Sequence, residues 1–313
     1  MEEICPDTEE LYRFFRRTTL RQGGEMTEEE LAAQLNASPQ TLCVVNRRAS
    51  AQQIYGMLEP EGRYCLTTLL CPAHRKRLLQ EIRLRLKEGL PCRVVSTSLI
   101  EAGVDVDFPA AWREEAGLDS VLQTAGRCNR EGRRPAEESI VTVFRLKDQK
   151  APAMILPNVD SARNVMQNFS DPTLPEAITA YFTFYRAVKG DPALDKQGVL
   201  EAFRKGFRGI EMPFATVAEQ FHFIEEATVT VYLPVEEGAE LVERLRAGEK
   251  GRWLYRQLGQ FAVNIYSDHL KNLLDAGAVE PAGAECYILT DTSLYHDDTG
   301  LEMDIETGKG IFI

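Results

Sequence analysis

The chain has 313 residues, of which 44% are hydrophobic and 27% are charged, a balance that is ordinary for a soluble globular protein with room for two domains. No apolar run approaches the ~20 residues of a membrane helix, and the acidic N-terminus lacks the basic and apolar regions of a signal peptide. The composition therefore predicts a cytoplasmic protein and excludes a membrane partner.

The net charge of −12 is unevenly distributed along the chain. Residues 1–150 hold 22 Lys and Arg against 23 Asp and Glu, whereas residues 151–313 hold 14 against 25. The first half can therefore present a local basic surface. The second half would on average repel a polyanion, so it is not a general nucleic-acid-binding surface by itself.

The first 150 residues predict helices that alternate with strands. A helix is predicted at "TEELYRFFRRTTL" (8–20), and a second begins with a capping box formed by Thr27 and Glu30. Four strands are predicted at residues 41–46, 63–70, 92–98 and 139–146, and helices at residues 47–58, 72–89 and the first part of 118–130. This alternation predicts an α/β lobe with a parallel sheet, whose ligands bind at the carboxyl ends of the strands.

The pattern changes after residue 150. The proline-punctuated stretch 151–165 is interpreted as a connector, and two helices are predicted within residues 175–208. Strands and helices mix from about residue 215, which predicts a smaller α+β domain. The predicted organisation is a lobe at 1–150, a connector with helices at 151–214 and a C-terminal domain at 215–313.

The stretch "QTAGRCNREG" (123–132) places Arg127 and Arg130 three residues apart, behind Gly126. The pair has three interpretations: a solvated face, a structural ion-pair site, or a phosphate clamp. On a helical turn both guanidinium groups would meet one anion, and the planar guanidinium fork is suited to phosphate. The nearby stretch "STSLIEAGVDVDF" (96–108), on the same α/β sheet, favours the clamp. Without a nucleotide we expect both guanidinium groups to lie near solvent.

These two stretches resemble motifs V and VI of superfamily-2 helicases. Residues 96–132 more specifically resemble the CRISPR-associated helicase–nuclease of type I interference systems. "TLCVVNRRASAQQIY" (41–55) is similar to motif IV of that family, and "LTTLLCPAHR" (66–75) to its following nucleic-acid-facing segment. The resemblance is continuous over about residues 40–146 and weaker beyond. It implies a RecA-like lobe, the second of the helicase, followed by a helical linker and an α+β C-terminal accessory domain.

The resemblance implies a role for each matching position. Arg127 and Arg130 correspond to arginine fingers that reach a nucleotide held on a partner lobe, and Gln123 to a residue that senses that nucleotide. Gly103 and Asp105 correspond to motif V positions that couple the nucleotide to the nucleic-acid strand.

A further set of positions corresponds to contacts with the strand itself. They are Ser96, Thr97 and Ser98 on one segment, and Thr67, Thr68, His74 and Arg75 on another. Hydroxyls and backbone N–H groups at a helix start suit the sugar–phosphate backbone. For each hydroxyl a local turn or helix cap is the alternative. The basic run "HRKRLLQEIRLRLK" (74–87) is either a solvated helix face or a wall of the strand channel.

Two motifs of nucleotide hydrolysis do not occur in the sequence: G-x-x-x-x-G-K-[ST], which cradles phosphates, and a D-E-x-H or D-E-x-D box, which holds Mg²⁺. The resemblance therefore implies that ATP and Mg²⁺ are held mainly by a first lobe absent from this chain, and that neither binds tightly here. No metal site is predicted, because the four histidines at 74, 222, 269 and 296 are widely spaced and no C-x-x-C pair occurs. "YHDD" (295–298) is interpreted as a turn between strands.

The sequence thus predicts the C-terminal part of an ATP-dependent single-stranded-DNA helicase or translocase–nuclease of CRISPR type I interference, inactive as an ATPase alone. The implied partners are single-stranded DNA, the first RecA-like lobe and nuclease domain of the same helicase, and the type I surveillance complex. The alternative is a separately produced, non-catalytic polypeptide that acts as a binding or regulatory module.

Overall fold

The computed structural model describes residues 7–206, 212–221, 228–283 and 285–303. Its helices are α1 Thr8–Phe15, α2 Glu28–Asn36, α3 Arg48–Gly56, α4 Pro72–Glu88, α5 Leu118–Ala125, α6 Leu156–Asn168, α7 Pro175–Lys189, α8 Asp191–Leu194, α9 Val199–Gly206, α10 Phe214–Gln220, α11 Gly238–Arg246, α12 Arg252–Leu258 and α13 Ser267–Asp275. Its strands are β1 Thr19–Met26, β2 Gln40–Val44, β3 Arg63–Leu66, β4 Cys92–Ser96, β5 Ala111–Glu114, β6 Ile140–Leu146, β7 Thr228–Tyr232, β8 Ala262–Tyr266, β9 Val279–Pro281, β10 Cys286–Leu289, β11 Tyr295–His296 and β12 Gly300–Leu301.

The first lobe is built on a six-stranded sheet with the strand order β1-β6-β5-β2-β4-β3. Every neighbouring pair in it is parallel. The predicted parallel α/β lobe is therefore confirmed. The sheet has two strands, β1 and β5, that the sequence reading did not predict.

Hydrophobic side chains cover both faces of this sheet. In β2 and the residue after it, Leu42 and Val44 enter one core cluster with α4, while Cys43 and Val45 enter another with α2 and α3. Successive residues of a strand point to opposite faces, so a strand buried on both sides reads as a continuous apolar run. This explains why β2 was recognisable in the sequence.

The N-terminal segment differs from its prediction. Helix α1 ends at Phe15, and the strand β1 begins at Thr19, so the predicted helix over 8–20 is wrong in its last residues. β1 pairs with β6 along its length, with Thr19 opposite Ile140. The capping box is confirmed: the Thr27 hydroxyl accepts from the Glu30 N–H at 3.2 Å, and the Glu30 carboxylate accepts from the Thr27 N–H at 2.9 Å.

The stretch interpreted as a connector is a packed helix. Ala162 and Val165 of α6 form a core cluster with Leu118 of α5 and Tyr181 of α7. The Tyr181 hydroxyl donates to the Asp119 carboxylate at 2.8 Å. The interpretation of residues 151–165 as a connector is thus wrong from Leu156 onwards, because an apolar face buried against α5 stabilises the helix despite its prolines.

A mixed sheet of order β8-β7-β10-β9 forms the smaller C-terminal part, with β7 parallel to β10 and antiparallel to β8. The short hairpin β11–β12 confirms the turn predicted at "YHDD". Leu69 and Cys71 of the first lobe belong to the same hydrophobic cluster as the residues of this smaller sheet. The smaller part therefore shares its core with the segment that follows β3.

The β11–β12 hairpin joins this smaller part to the first lobe. The Leu301 N–H donates to the Leu69 carbonyl at 3.0 Å, and the Tyr55 hydroxyl donates to the Asp298 carboxylate at 2.6 Å. Gly300 has a φ of +83°. A Cβ at Gly300 would lie 2.3 Å from the Leu69 backbone, so only glycine permits this approach.

The predicted boundaries at residues 150 and 214 stay predictions. Among the described residues, no helix combines the length and the apolar character needed to cross a membrane.

Candidate phosphate and nucleic-acid site

The candidate residues surround the carboxyl ends of β2, β3 and β4. The loop 97–110 follows β4, and its end forms a bridge between Phe108 and Cys128, just beyond α5. The stretches that resemble motifs V and VI are thereby joined. The edge of the sheet where parallel α/β folds bind ligands carries both of them.

The turn that carries the arginine pair is not helical. α5 ends at Ala125, and Asn129 has a φ of +48°, a left-handed conformation that interrupts any helix. The expectation that Arg127 and Arg130 share one face of a helical turn is therefore wrong. Their side chains have separate environments.

Arg127 is buried, with an exposed fraction of 9%. Its guanidinium donates to the Ile100 carbonyl at 3.0 Å and to the Glu101 carbonyl, both in the loop after β4. Burial lowers the pKa of Arg127, and the nearby positive charge of Arg130 lowers it further. The expectation that this guanidinium lies near solvent is wrong, because backbone carbonyls of the 97–110 loop satisfy it.

Arg130 lies at the surface, with 41% of its side chain exposed, and its Nε is 2.7 Å from the Asp105 carboxylate. The Asp105 carbonyl in turn accepts from Nε of Arg83, on α4, at 2.9 Å. The Arg130 backbone N–H donates to the Asp107 carboxylate at 2.7 Å. Of the two arginines, Arg130 is the one that an external anion can reach, and Asp105 links it to α4.

Gln123 and Gly103 flank this arrangement. Gln123 is exposed on the last turn of α5. Gly103 is exposed with a φ of +71°, and it lets the chain turn between the short helical segment after β4 and Asp105. The structure therefore brings Arg130, Asp105 and Arg127 to one loop pair, with Gln123 on the adjoining helix end.

Asn129 organises the loop and was not selected from the sequence. It is fully buried; its amide nitrogen donates to the carbonyls of Arg17 and Arg134 at 2.8 and 2.7 Å, and its Oδ1 accepts from the Arg134 N–H at 3.0 Å. Asparagine is one of the few non-glycine residues that tolerate a positive φ. An asparagine between two arginines just past a helix end was the available signal.

A buried ion pair beneath the loop was also missed. Nε of Arg113 lies 3.0 Å from the Glu101 carboxylate, and both side chains are at most 5% exposed. Arg113 also donates to the Asn46 side-chain oxygen at 2.8 Å. Burial raises the pKa of Glu101, which the charge of Arg113 opposes. Glu101 therefore fixes the segment whose carbonyls hold Arg127.

Several hydroxyls proposed to contact DNA have internal partners. The buried Ser96 hydroxyl donates to the Leu66 carbonyl at 2.7 Å, and the buried Thr67 hydroxyl accepts from the Leu69 N–H at 3.1 Å. Thr97 is 8% exposed, and its N–H donates to the Leu66 carbonyl at 3.3 Å. These side chains hold the ends of β3 and β4 together. A direct role for them at DNA stays a prediction.

His74 has a structural environment. It is 2% exposed, its Nδ1 lies 2.9 Å from the Tyr295 hydroxyl, and its Nε2 lies 3.2 Å from the Glu236 carboxylate. Both partners belong to the smaller C-terminal part. A DNA contact by this imidazole stays a prediction, and its present contacts join α4 to that part.

Three of the proposed strand-contacting residues are accessible. Thr68 and Ser98 are exposed at the same sheet edge, and Arg75 is half-buried at the start of α4. Arg75 lines a cavity of about 350 Å³ between α4 and the loop after β4. Basic side chains Arg75, Lys76 and Arg83 share this cavity with apolar Leu79, Ile100 and Val104. This is a basic surface with an apolar floor.

Among the described residues, no three His, Cys, Asp or Glu side chains are grouped so that they could hold a metal ion. His222 lies outside the described residues.

Comparison with known proteins agrees with this arrangement. Residues 37–133 match the family described as the C-terminal region of CRISPR-associated nuclease/helicase Cas3. A CRISPR-associated nuclease/helicase Cas3 of Haloferax volcanii is 39% identical over 89 residues, 27% of this chain and 10% of that protein. Its counterpart from Methanothermobacter thermautotrophicus is 25% identical over 138 residues, 43% of this chain and 17% of that protein. The matched segments therefore span a minor part of these relatives' length.

Solved structures show the same fold over most of the chain. The crystal structure of T. fusca Cas3 superposes with a TM-score of 0.56 at 16% identity, covering 87% of this chain and 39% of that one. A structure described as a CRISPR RNA-guided surveillance complex, pre-nicking, contains a chain that matches with a TM-score of 0.54 at 14% identity, covering 92% and 44%. At such identities the likeness establishes the fold, an α/β RecA-like lobe with a smaller mixed sheet. Together with the family match over residues 37–133, it confirms the resemblance drawn from the sequence: this chain carries a Cas3-like C-terminal helicase lobe.

Proposed function

We propose that this chain is the second motor lobe and accessory domain of an ATP-driven single-stranded-DNA translocase–nuclease that acts in CRISPR type I interference. The observation that carries the proposal is the environment of Arg130. Its side chain is partly exposed beside Asp105, on a loop that the buried Arg127 and Asn129 hold in place. A guanidinium presented in this way is able to contact a phosphate held on another lobe.

The residues of this chain fit the phosphate end of a nucleotide and not a whole ATP–Mg²⁺ complex. Arg130 supplies the accessible positive charge, and Arg127 keeps the loop at a fixed distance from the 97–110 segment. The two sequence motifs that cradle phosphates and bind Mg²⁺ do not occur. We therefore infer that ATP and Mg²⁺ are held mainly by the first RecA-like lobe, and that this chain alone does not turn over ATP.

Coupling to DNA is proposed to pass through Asp105. Its carboxylate contacts Arg130, and its carbonyl accepts from Arg83 of α4, the helix that carries Arg75. A shift of Arg130 towards a nucleotide would therefore disturb the loop that borders the basic cavity. Single-stranded DNA is proposed to follow that cavity and the exposed Thr68 and Ser98.

The remaining partners follow from the proteins that this chain is similar to. Its relatives are described as nuclease/helicases, and one structural neighbour is part of a CRISPR RNA-guided surveillance complex. We propose that the first lobe and a nuclease domain complete the enzyme, and that a type I surveillance complex recruits it.

The test compares ATP turnover of the complete helicase with and without Arg130→Ala, in the presence of single-stranded DNA. An arginine finger contributes about 10³–10⁵ in rate in related phosphoryl transfers, so a large loss of kcat is expected. Arg133→Ala is the matched control, because Arg133 is 75% exposed on the same loop and is 3.7 Å from Glu131. Normal turnover in the Arg130 variant would contradict the proposal.

A further inference from the structure

A cavity of about 960 Å³ opens beside Arg130 and is not used in the function proposed above. Its walls come from α1 and the segment before β1, from the end of α5, and from the loop before α7. The lining residues are Tyr12, Arg13, Phe15, Arg16, Arg17, Thr18, Leu122, Ala125, Gly126, Cys128, Arg130, Glu131, Asp171, Thr173 and Leu174. Its volume falls within the range of small-molecule binding sites.

The lining is basic although the chain is acidic. Four of these residues are arginines and two are carboxylates, which gives the walls a net charge of +2 in a chain of net charge −12. A concave surface of one sign concentrates ligands of the opposite sign. The cavity therefore selects for an anion.

Two of the arginines are fixed by contacts that leave donors to spare. The Arg17 guanidinium donates to the Arg130 carbonyl, and the Arg17 carbonyl accepts from the Asn129 amide at 2.8 Å. Arg16 lies 3.6 Å from the Asp171 carboxylate. A guanidinium has five N–H donors, so each retains several for a ligand. The segment before β1 and the loop of Arg130 are thereby joined into one wall.

Aromatic rings form the other surface of the cavity. Tyr12 and Phe15 are three residues apart on α1 and line the same space, with exposed fractions of 48% and 58%. Residues at this spacing share one face of a helix. Exposed rings beside arginines are the combination with which proteins stack nucleobases and contact their phosphates.

We propose that this cavity is a nucleotide subsite in which Tyr12 and Phe15 stack against the base while Arg16, Arg17 and Arg130 contact the phosphates. The occupant is a nucleoside triphosphate, and a nucleotide unit of single-stranded DNA offers the same chemistry from a second source. The inference rests on the function proposed for Arg130 and extends it: the segment before β1 would help to bind the nucleotide that Arg130 reaches.

The test measures binding to the full chain by calorimetry with three probes: ATP, inorganic tripolyphosphate and a short oligothymidylate. Phe15→Ala should lower the affinity for ATP about fivefold or more and leave tripolyphosphate unchanged, since stacking involves only the base. Arg16→Gln should lower the affinity for both. The matched controls are Phe14→Ala, a neighbouring ring that is 78% exposed and outside the cavity lining, and Arg133→Gln.

The three probes separate the outcomes. Competition between oligothymidylate and ATP, with the same sensitivity to Phe15→Ala, would identify the strand as a source of the occupant. Absence of ATP binding at millimolar concentration, or equal effects of Phe14→Ala and Phe15→Ala, would overturn the subsite. If turnover of the complete helicase still depended on Arg130 in that case, the proposed function would stand without the subsite.

Discussion

His74 and Tyr295 meet across the boundary between the parallel-sheet lobe and the smaller C-terminal sheet, with 2.9 Å between Nδ1 and the hydroxyl oxygen. The same hydroxyl accepts from the Cys71 N–H at 3.1 Å. Its own proton is therefore directed at Nδ1, and Nε2 faces the carboxylate of Glu236. A buried chain of polar groups thus connects the start of α4 to both ends of the smaller part.

Tyr295→Phe should lower the free energy of unfolding by about 1–3 kcal/mol, because it leaves a buried N–H and a buried imidazole nitrogen without a partner. Urea unfolding of the full chain measures the loss. Tyr287→Phe is the control, since no hydrogen bond of its hydroxyl is found among the described residues. Equal stabilities of the two variants would contradict the role assigned to this hydroxyl.

The two arginines of the candidate site should differ in their effect on stability. Arg127→Ala removes a donor from the Ile100 and Glu101 carbonyls in a buried position and should cost about 1–3 kcal/mol of unfolding free energy. Arg130→Ala breaks a contact with Asp105, a carboxylate that is 73% exposed, and should change stability by no more than ~1 kcal/mol. Chemical denaturation of the two variants side by side is the measurement. A larger loss in Arg130→Ala would reverse the assignment of anchor and finger.

Single-stranded DNA should bind the isolated chain weakly, with an affinity that falls steeply as salt rises, because phosphate contacts release counterions. Arg75→Glu should weaken binding further, since Arg75 lines the basic cavity beside α4. Arg252→Glu, an exposed charge reversal at the start of α12, is the control. Fluorescence anisotropy at several salt concentrations checks this, and identical isotherms for the two variants would remove Arg75 from the strand path.

The sequence was sufficient for the strands whose side chains are apolar and insufficient for those that bury charge. β5 is four residues long and includes Arg113 and Glu114, both buried in the middle of the sheet. Charged residues of this kind break the apolar run that identifies a buried strand, and only the distant Glu101 makes them acceptable there. β1 was missed for another reason: it is a half-exposed edge strand with two glycines.

Site prediction was limited by contacts distant in sequence. The spacing of Arg127 and Arg130 was correct as a motif, but a left-handed Asn129 and the loop after β4 decide that one side chain is buried and the other accessible. His74 was interpreted from its neighbours along the chain. Its environment comes instead from Tyr295, 221 positions later, and no local pattern contains that information.

The contact between Glu236 and Arg77 should make the stability of the chain depend on acid. The Arg77 guanidinium donates to the Glu236 carboxylate at 2.8 Å and lowers the pKa of that carboxyl, with a smaller contribution from His74; Arg77 also pairs with Asp297. A carboxyl whose folded-state pKa lies below its unfolded value stabilises the fold above the unfolded value of about 4.5. This stabilisation is lost as the pH falls through the folded-state pKa.

Glu236→Gln should therefore be less stable than the parent chain at neutral pH, and the difference should shrink as the pH falls below about 4.5. The difference should not exceed ~1 kcal/mol, because 44% of the Glu236 side chain is exposed. Urea midpoints at neutral and acid pH are compared for the parent, Glu236→Gln and Glu285→Gln, an exposed carboxylate of the same smaller part. A gap of constant size across the pH range would show that the carboxylate contributes no charge-dependent stability. A gap in Glu285→Gln that narrows equally would show that the effect belongs to the overall acidity of this part of the chain rather than to the Arg77 contact.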